Sequence, residues 1–238
     1  MKTNTLFNYF TLIQKMILYN LRIIFANKFI WFLVGSVLFY AGISVITAFS
    51  DDVTRMEDLY GLFIFCGILL VFYPSVFGIQ NDQDARTIEI LFGIPNYRYK
   101  IWLVRIILIF VIAFLIMMAF TFLSSVLVVK FPFFNMTLQV MVPVIFLGMM
   151  AFMLSSVIRN GNGTAVVMII LGVLFMIFED PLRKSQFNVF MNPYQPAYDV
   201  SETTWAIISL KNRITLIVGI VVFLLAALFN LQKREKFM

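Results

Sequence analysis

The chain has 238 residues, of which 62% are hydrophobic and only 13% are charged, and its mean hydropathy is +0.96. Soluble globular domains carry about 25% charged residues, so this composition excludes an ordinary soluble domain. The net charge of +6 is spread over short connecting segments and forms no basic run, so it does not indicate nucleic-acid binding.

Six apolar stretches without a charged residue fill most of the chain. A helix needs about 20 apolar residues to cross a bilayer, and five of the stretches reach or approach that length. The sequence therefore predicts an all-α integral membrane protein, a single transmembrane domain over residues 1–238. The stretches are 29–49, 59–79, 106–129, 138–158, 164–178 and 214–231, and the predicted spans are 29–49, 59–79, 104–129, 138–158, 162–178 and 213–231.

The Lys and Arg residues predict the orientation, because positively charged loops remain in the cytoplasm. The two ends and alternate connections carry twelve basic residues against four acidic ones, whereas the other side carries six against eight. Both termini are therefore expected in the cytoplasm, with the protein in the cell membrane. The single cysteine, Cys66, cannot form an internal disulfide and does not report the redox compartment.

In chain order, residues 4–26 come first and predict an amphipathic interfacial helix. Polar residues recur at helical spacing, among them Asn8, Thr11, Lys15 and Arg22, while the remainder is mostly apolar. Such a helix can lie in the headgroup layer with its polar stripe toward water. The alternative is an ordinary helix that continues into the first span.

Two spans contain a proline, Pro74 in the second and Pro143 in the fourth. A proline in a membrane helix can be tolerated as a simple kink, and it can also act as a hinge. Pro74 and Pro143 are therefore candidate gate or hinge residues. Hydroxyl residues in the third and fourth spans, such as Thr121 and Ser155, suit helix packing, with a substrate site as the alternative.

The cytoplasmic segment between spans two and three predicts a short helix over 84–94. Asp84 can cap its start, and Gly93 and Pro95 end it. Ile88, Leu91 and Phe92 then share an apolar face. This face suits either docking into a groove of a soluble partner or rest on the lipid surface.

The turn RNGNG at 159–163 predicts a tight reversal in which the glycines tolerate positive φ. Further along, residues 179–212 form the longest external connection. Their prolines and aromatic residues predict two short external helices rather than a flexible linker, with Asp199 and Glu202 as a capping box. The external mouth is expected to include Asn192, Pro193 and Trp205.

Catalytic and nucleotide-binding motifs are missing from the sequence. It contains no GxxxxGK[ST], HExxH, CxxC or GxSxG motif, so we expect neither an enzyme nor a cofactor bound by this chain. No titratable group lies within an apolar stretch, which argues against ion-coupled transport, although broken helices with backbone ion sites stay open.

Residues 86–95, RTIEILFGIP, resemble the "GT-Ile/Leu-Glu-x-Leu-x-x-x-Pro" run of the membrane subunits of type-2 ABC exporters. The likeness extends over the whole chain: a connector helix, six spans with both ends inside, and external helices before the last span. Asn192-Pro193 is also similar to the NP pair in that family's last external connection. Arg86 stands where the family commonly has glycine.

The resemblance implies that this segment is a coupling helix that contacts a separate ABC ATPase, which would bind ATP and Mg. It implies a second permease chain, identical or similar, and an amphipathic or lipophilic substrate, with a peptide as the best guess. A secondary transporter or channel is the alternative, and an intramembrane enzyme is a third. The residues implied to contact the ATPase are Asp84, Arg86, Thr87, Ile88, Glu89, Ile90, Leu91 and Phe92.

Overall fold

The computed structural model describes residues 28–49, 55–84 and 98–232, and these residues form helices and turns without a strand. A single π-helical turn, Arg98–Leu103, leads into the third helix. The predicted all-α architecture is confirmed for the described residues. Its helices are α1 Phe29–Phe49, α2 Met56–Asp84, α3 Val104–Leu127, α4 Phe133–Ile158, α5 Gly161–Ile177 and α6 Glu202–Asn230.

Five of the described helices are long and apolar enough to cross a membrane, and the protein is therefore a multi-pass membrane protein. In lipid, backbone N–H and C=O groups find partners only within the protein, so apolar segments fold as helices. The remaining helix, α5, is apolar but has only 17 residues. A sixth span over 162–178 stays a prediction.

The helices α2 and α4 form the centre of the bundle. They pack on each other and on α3 and α5, whereas α1 packs mainly on α2, and α6 on α4. Two glycines allow this close approach. A Cβ at Gly67 would lie 2.6 Å from a methyl group of Val144, and one at Gly148 would lie 2.8 Å from the Phe110 ring.

Hydroxyl groups join the helices across the apolar core. The Ser155 hydroxyl of α4 donates to the Val76 carbonyl of α2 at 2.8 Å. The hydroxyls of Thr121 and Thr137 lie 2.7 Å apart and link α3 to α4. These bonds support the packing interpretation of Thr121 and Ser155, because both hydroxyls are buried and occupied by protein partners.

The reversal between α4 and α5 differs from the expectation. Arg159 has a φ of 59° and occupies the left-handed region, whereas no described glycine has a positive φ. The Asn160 side chain then caps α5 by accepting a hydrogen bond from the Gly163 N–H at 3.1 Å. Gly161 is required here for close packing on α2 and not for a positive φ, because a Cβ there would overlap the Phe77 ring.

The prediction of two short external helices within 179–212 is wrong. Residues 178–201 form turns and bends, and helix begins only at Glu202, from which α6 continues unbroken to Asn230. The N-cap is Ser201, whose hydroxyl accepts a hydrogen bond from the Thr204 N–H at 3.3 Å, while the predicted cap Asp199 pairs with Lys184. Prolines disfavour helix in the residue before them, which explains the irregular path of this segment.

Two predicted elements lie wholly or largely outside the described residues. The interfacial helix over 4–26 lies outside the described residues. Of the predicted coupling helix over 84–94, only Asp84 is described, and it is the last residue of α2. Its side chain accepts a long hydrogen bond of 3.4 Å from the Gln80 amide, one turn earlier in the same helix.

Candidate functional site

A groove runs between α2, α5 and the irregular segment 179–195. Its upper cavity, of about 420 Å³, begins at the first turns of α2 and includes Tyr60, Ile64 and Gln195. Its lower cavity, of about 250 Å³, extends to Gly148 and Ala151 of α4. Since ligand pockets occupy about 300–1,000 Å³, the groove is large enough for a small molecule or part of a larger one.

The two cavities adjoin, because they share four lining residues, Phe65, Ile68, Met176 and Phe190. Every residue that lines the lower cavity is apolar. On the α5 side, Ile169 and Met176 are 58% and 65% exposed, so this flank is open toward the surroundings of the bundle. The groove therefore combines an upper end that includes polar residues with an apolar floor that is accessible from the side.

The upper end carries an acidic rim, defined by Glu57, Asp58 and Glu179. No Lys or Arg lines the upper cavity among the described residues. Arg55 reaches Glu57 at 3.4 Å, but the Arg55 side chain is 74% exposed, so this pair is weak. Burial, followed by the neighbouring carboxylate of Asp180, raises the pKa of Glu179 above its ordinary 4.5, and Arg183 opposes this shift.

The predicted mouth residues Asn192, Pro193 and Trp205 lie together beside this rim. The Asn192 side-chain amide donates to the Glu57 carbonyl at 2.9 Å, which joins the irregular segment to the start of α2. The indole N–H of Trp205 donates to the Pro193 carbonyl at 3.0 Å. These bonds fix the NP pair over the upper cavity, which Asn192 also lines.

Beneath the mouth lies a buried guanidinium that the sequence reading did not single out. Arg213 is only 7% exposed. It donates to the Tyr60 hydroxyl at 2.7 Å, to the Gln139 side-chain oxygen at 2.8 Å and to the Met191 carbonyl at 3.3 Å. It thus joins α2, α4, α6 and the irregular segment. The sequence signal for Arg213 was its position at the start of the last predicted span.

A buried charge pair lies at the opposite end of α2. Arg105 donates to Asp82 at 2.6 Å, and both side chains are at most 7% exposed. The Arg105 guanidinium also lies 5.0 Å from the centre of the Trp102 ring. Asp82 and Arg105 stand on either side of the connection that contains residues 85–97, so the pair fixes the spacing of the two helix ends that this connection joins.

The candidate hinge residues Pro74 and Pro143 are both buried inside continuous helices. Because proline lacks an N–H, each leaves the carbonyl four residues earlier without its helical donor. Pro74 lies beside Arg105 in a small cavity of about 10 Å³. A hinge role for either proline stays a prediction.

The other residues predicted to contact an ATPase, at 86–92, lie outside the described residues. In comparisons with protein-family models, with curated proteins and with solved structures, no match to this chain was found.

Proposed function

We propose that this chain is the transmembrane subunit of an ATP-driven exporter and works with a separate ABC ATPase. The observation that carries the proposal is the position of the 86–95 run. It connects α2 and α3, and a buried bond of 2.6 Å between Asp82 and Arg105 fixes the helix ends on both sides of it. A force applied to this connection would therefore reach α2 directly.

In this proposal the force travels along α2 to the groove. The acidic rim begins at the first turn of α2, and the connection to α3 follows its last residue, Asp84. At 1.5 Å per residue, a helix of 29 residues is about 43 Å long, enough to cross a bilayer. The coupling site and the groove mouth thus lie at opposite ends of one helix.

We assign α5 as the sixth span, which would put both termini on the same side of the membrane, and the distribution of Lys and Arg favours the cytoplasm. The Gly161 N–H at its start bonds to Gln80 near the end of α2, and Glu179 just beyond its end shares a cavity with Glu57 at the start of α2. The segment from 161 to 179 therefore runs beside α2 from near its end to near its start. A length of 17 residues is at the lower limit for a span.

The proposed substrate is amphipathic or lipophilic, with a peptide as the best guess, because the groove joins a polar mouth to an apolar floor. A second permease chain, identical or similar, would complete the transporter within the lipid bilayer. ATP and Mg would bind to the ATPase, and this chain would catalyse no reaction. Residues 86–92, with Asp84, would form the contact with the ATPase.

A secondary transporter driven by an ion gradient is the second candidate. The buried carboxylate of Asp82 and the buried guanidinium of Arg213 favour it, because ionisable groups inside membrane bundles often mark ion paths. The Asp82 carboxylate lies 2.6 Å from the Arg105 guanidinium, and the Arg213 guanidinium lies 2.7 Å from the Tyr60 hydroxyl. These close contacts fit a structural role equally well.

Copurification tests the proposed function. The chain would be coexpressed with a soluble ABC ATPase from the same organism, and a complex that survives detergent extraction is expected. Leu91→Arg places a charge on the proposed apolar docking face and should abolish the complex. Asn162→Arg is the matched control. Asn162 is exposed at the start of α5, at the same end of the bundle as the last turn of α2. Loss of the complex in both variants, or in neither, would refute the docking face.

A further inference from the structure

We propose that the groove between α2 and α5 binds a cationic amphiphile, with its apolar part in the lower cavity and its positive head at the acidic rim. That this compound is also the transported substrate rests on the proposed exporter function. The binding itself is a property of this chain alone. It can therefore be tested without an ATPase.

The lower cavity selects an apolar group. Leu147 and Ala151 of α4 form its floor, and Phe72 of α2 and Val173 of α5 lie at its sides. Transfer of alkyl or aromatic surface from water into such a space is favourable in proportion to the area buried. Gly172 leaves room in this wall, since a Cβ added there would meet no atom within 4 Å.

The acidic rim selects the charge of the head. Glu57, Asp58 and Glu179 line the upper cavity, and Asp180 lies beside Glu179 in an adjoining cavity of about 180 Å³. The described basic residues nearby are Arg55, which faces Glu57, Arg183, which lines the adjoining cavity, and the buried Arg213, which donates to Tyr60 behind the cavity wall. Four carboxylates against three guanidinium groups leave a local excess of one negative charge, and of these groups the carboxylates alone line the upper cavity, which attracts a cation and repels an anion.

Aromatic rings strengthen this preference. Phe65 and Phe190 both line the upper cavity and can present a ring to the positive head. A cation within about 6 Å of an aromatic ring is attracted by the negative face of that ring. A lipid without a cationic group could also enter the groove from the side, but it would gain nothing from the rim.

The test measures binding to the purified chain in micelles of dodecyl maltoside, whose sugar head carries no charge, without nucleotide. The probes are three dansyl-labelled dodecyl chains that differ only in the head: trimethylammonium, hydroxyl or sulfonate. Fluorescence anisotropy should show that the ammonium probe binds roughly tenfold tighter than the hydroxyl probe and tighter still than the sulfonate probe. Equal binding of all three would overturn the proposal and reduce the groove to a lipid crevice.

Two variants locate the binding. Glu57→Gln/Asp58→Asn/Glu179→Gln should remove the preference for the ammonium probe, whereas Glu202→Gln, an exposed acid that lines no part of the groove, should keep it. Gly172→Phe should fill the lower cavity and weaken the ammonium and hydroxyl probes at least tenfold. Its control is Gly42→Phe, on α1, where an added Cβ also meets no atom within 4 Å.

An unchanged preference in the triple variant, or unchanged affinity in Gly172→Phe, would overturn the proposed site. Either result would leave the ATPase complex unaffected. Conversely, loss of the ATPase complex with retained probe binding would refute the exporter function and leave the binding site standing.

Discussion

Charged side chains lie buried at both ends of the apolar bundle, Asp82 with Arg105 at one end and Arg213 at the other. A lone charge in this position would be strongly destabilising, so each one depends on its partners. For Arg213 the partners are neutral oxygens, and for Arg105 the partner is a carboxylate. The loss of a partner should therefore reduce the free energy of unfolding most at the Asp82–Arg105 pair.

Removal of one member of that pair should destabilise the fold more than removal of both. Asp82→Leu leaves a buried guanidinium without its counterion, and a loss of about 3–5 kcal/mol in the free energy of unfolding is expected. Arg105→Met should have a similar effect. The double variant Asp82→Leu/Arg105→Met should recover most of the loss, as measured by SDS titration of the purified protein. Additive losses in the double variant would show that the pair does not act as a unit.

Glu179 should make cation binding depend on pH at values above those at which an ordinary glutamate becomes protonated. Because its pKa is raised above 4.5, its charge is lost on acidification at a higher pH than for an ordinary glutamate. The affinity for the ammonium probe should therefore begin to fall above pH 4.5, and Glu179→Gln should remove that part of the profile. The other groups at the rim are Glu57, Asp58, Asp180, Arg55 and Arg183.

The same shift has the opposite sign for stability. A carboxyl whose pKa is higher in the folded protein than in the unfolded chain stabilises the fold when it is protonated. This contribution is fully present below the unfolded pKa and is lost as the pH rises through the folded pKa. Glu179→Gln should therefore increase stability at neutral pH, by a small amount because Glu179 is exposed. A lower SDS unfolding midpoint for Glu179→Gln than for the native chain at pH 7 would contradict the raised pKa of Glu179.

At the scale of helices, close contact between α2 and α4 depends on Gly67. Gly67→Ala places a methyl group 2.6 Å from Val144, whose branched side chain has few alternative rotamers. Overpacking of this kind costs about 1–3 kcal/mol of unfolding free energy. Gly61→Ala on the same helix is the control, since a Cβ there meets no atom within 4 Å. Equal SDS unfolding midpoints for the two variants would contradict the proposed contact.

The helices themselves could be predicted from hydrophobicity, because uncharged apolar runs have no other stable structure in lipid. Their ends could not, because α2 extends past its apolar run through polar residues 80–84, and α6 begins eleven residues before the predicted span. Hydropathy detects the lipid-facing part of a helix and misses the part that is held by protein contacts. For this reason the prediction places a separate external helix after Glu202, where the structure has the first turns of α6.

The candidate site could be predicted only in part. Asn192, Pro193 and Trp205 were expected at a mouth, and hydrogen bonds do bring them together. The groove could not be predicted, because it arises from the packing of α5 against α2, and a single sequence does not record that contact. The burial of Asp82, Arg105 and Arg213 could not be predicted, because it depends on partners 23 to 153 residues away in the sequence.

For the whole molecule, the number of spans decides the topology. If α5 crosses the membrane, positions 162 and 186 lie on opposite sides. Single cysteines at Asn162→Cys and Gln186→Cys, in a Cys66→Ala background, should react with a membrane-impermeant maleimide from opposite faces in intact cells and inverted vesicles. Both positions are exposed, and the native Cys66 is buried. Labelling of both from the same face would exclude the sixth span.

We propose that ATP hydrolysis by a partner moves an amphipathic cation through this chain. Flux of the ammonium probe should be measured in proteoliposomes that contain the chain and its copurified ATPase. We expect flux that requires ATP and Mg, is lost with Leu91→Arg and persists when ion gradients are collapsed. Flux by the chain alone, driven by a proton or sodium gradient without ATP, would contradict it.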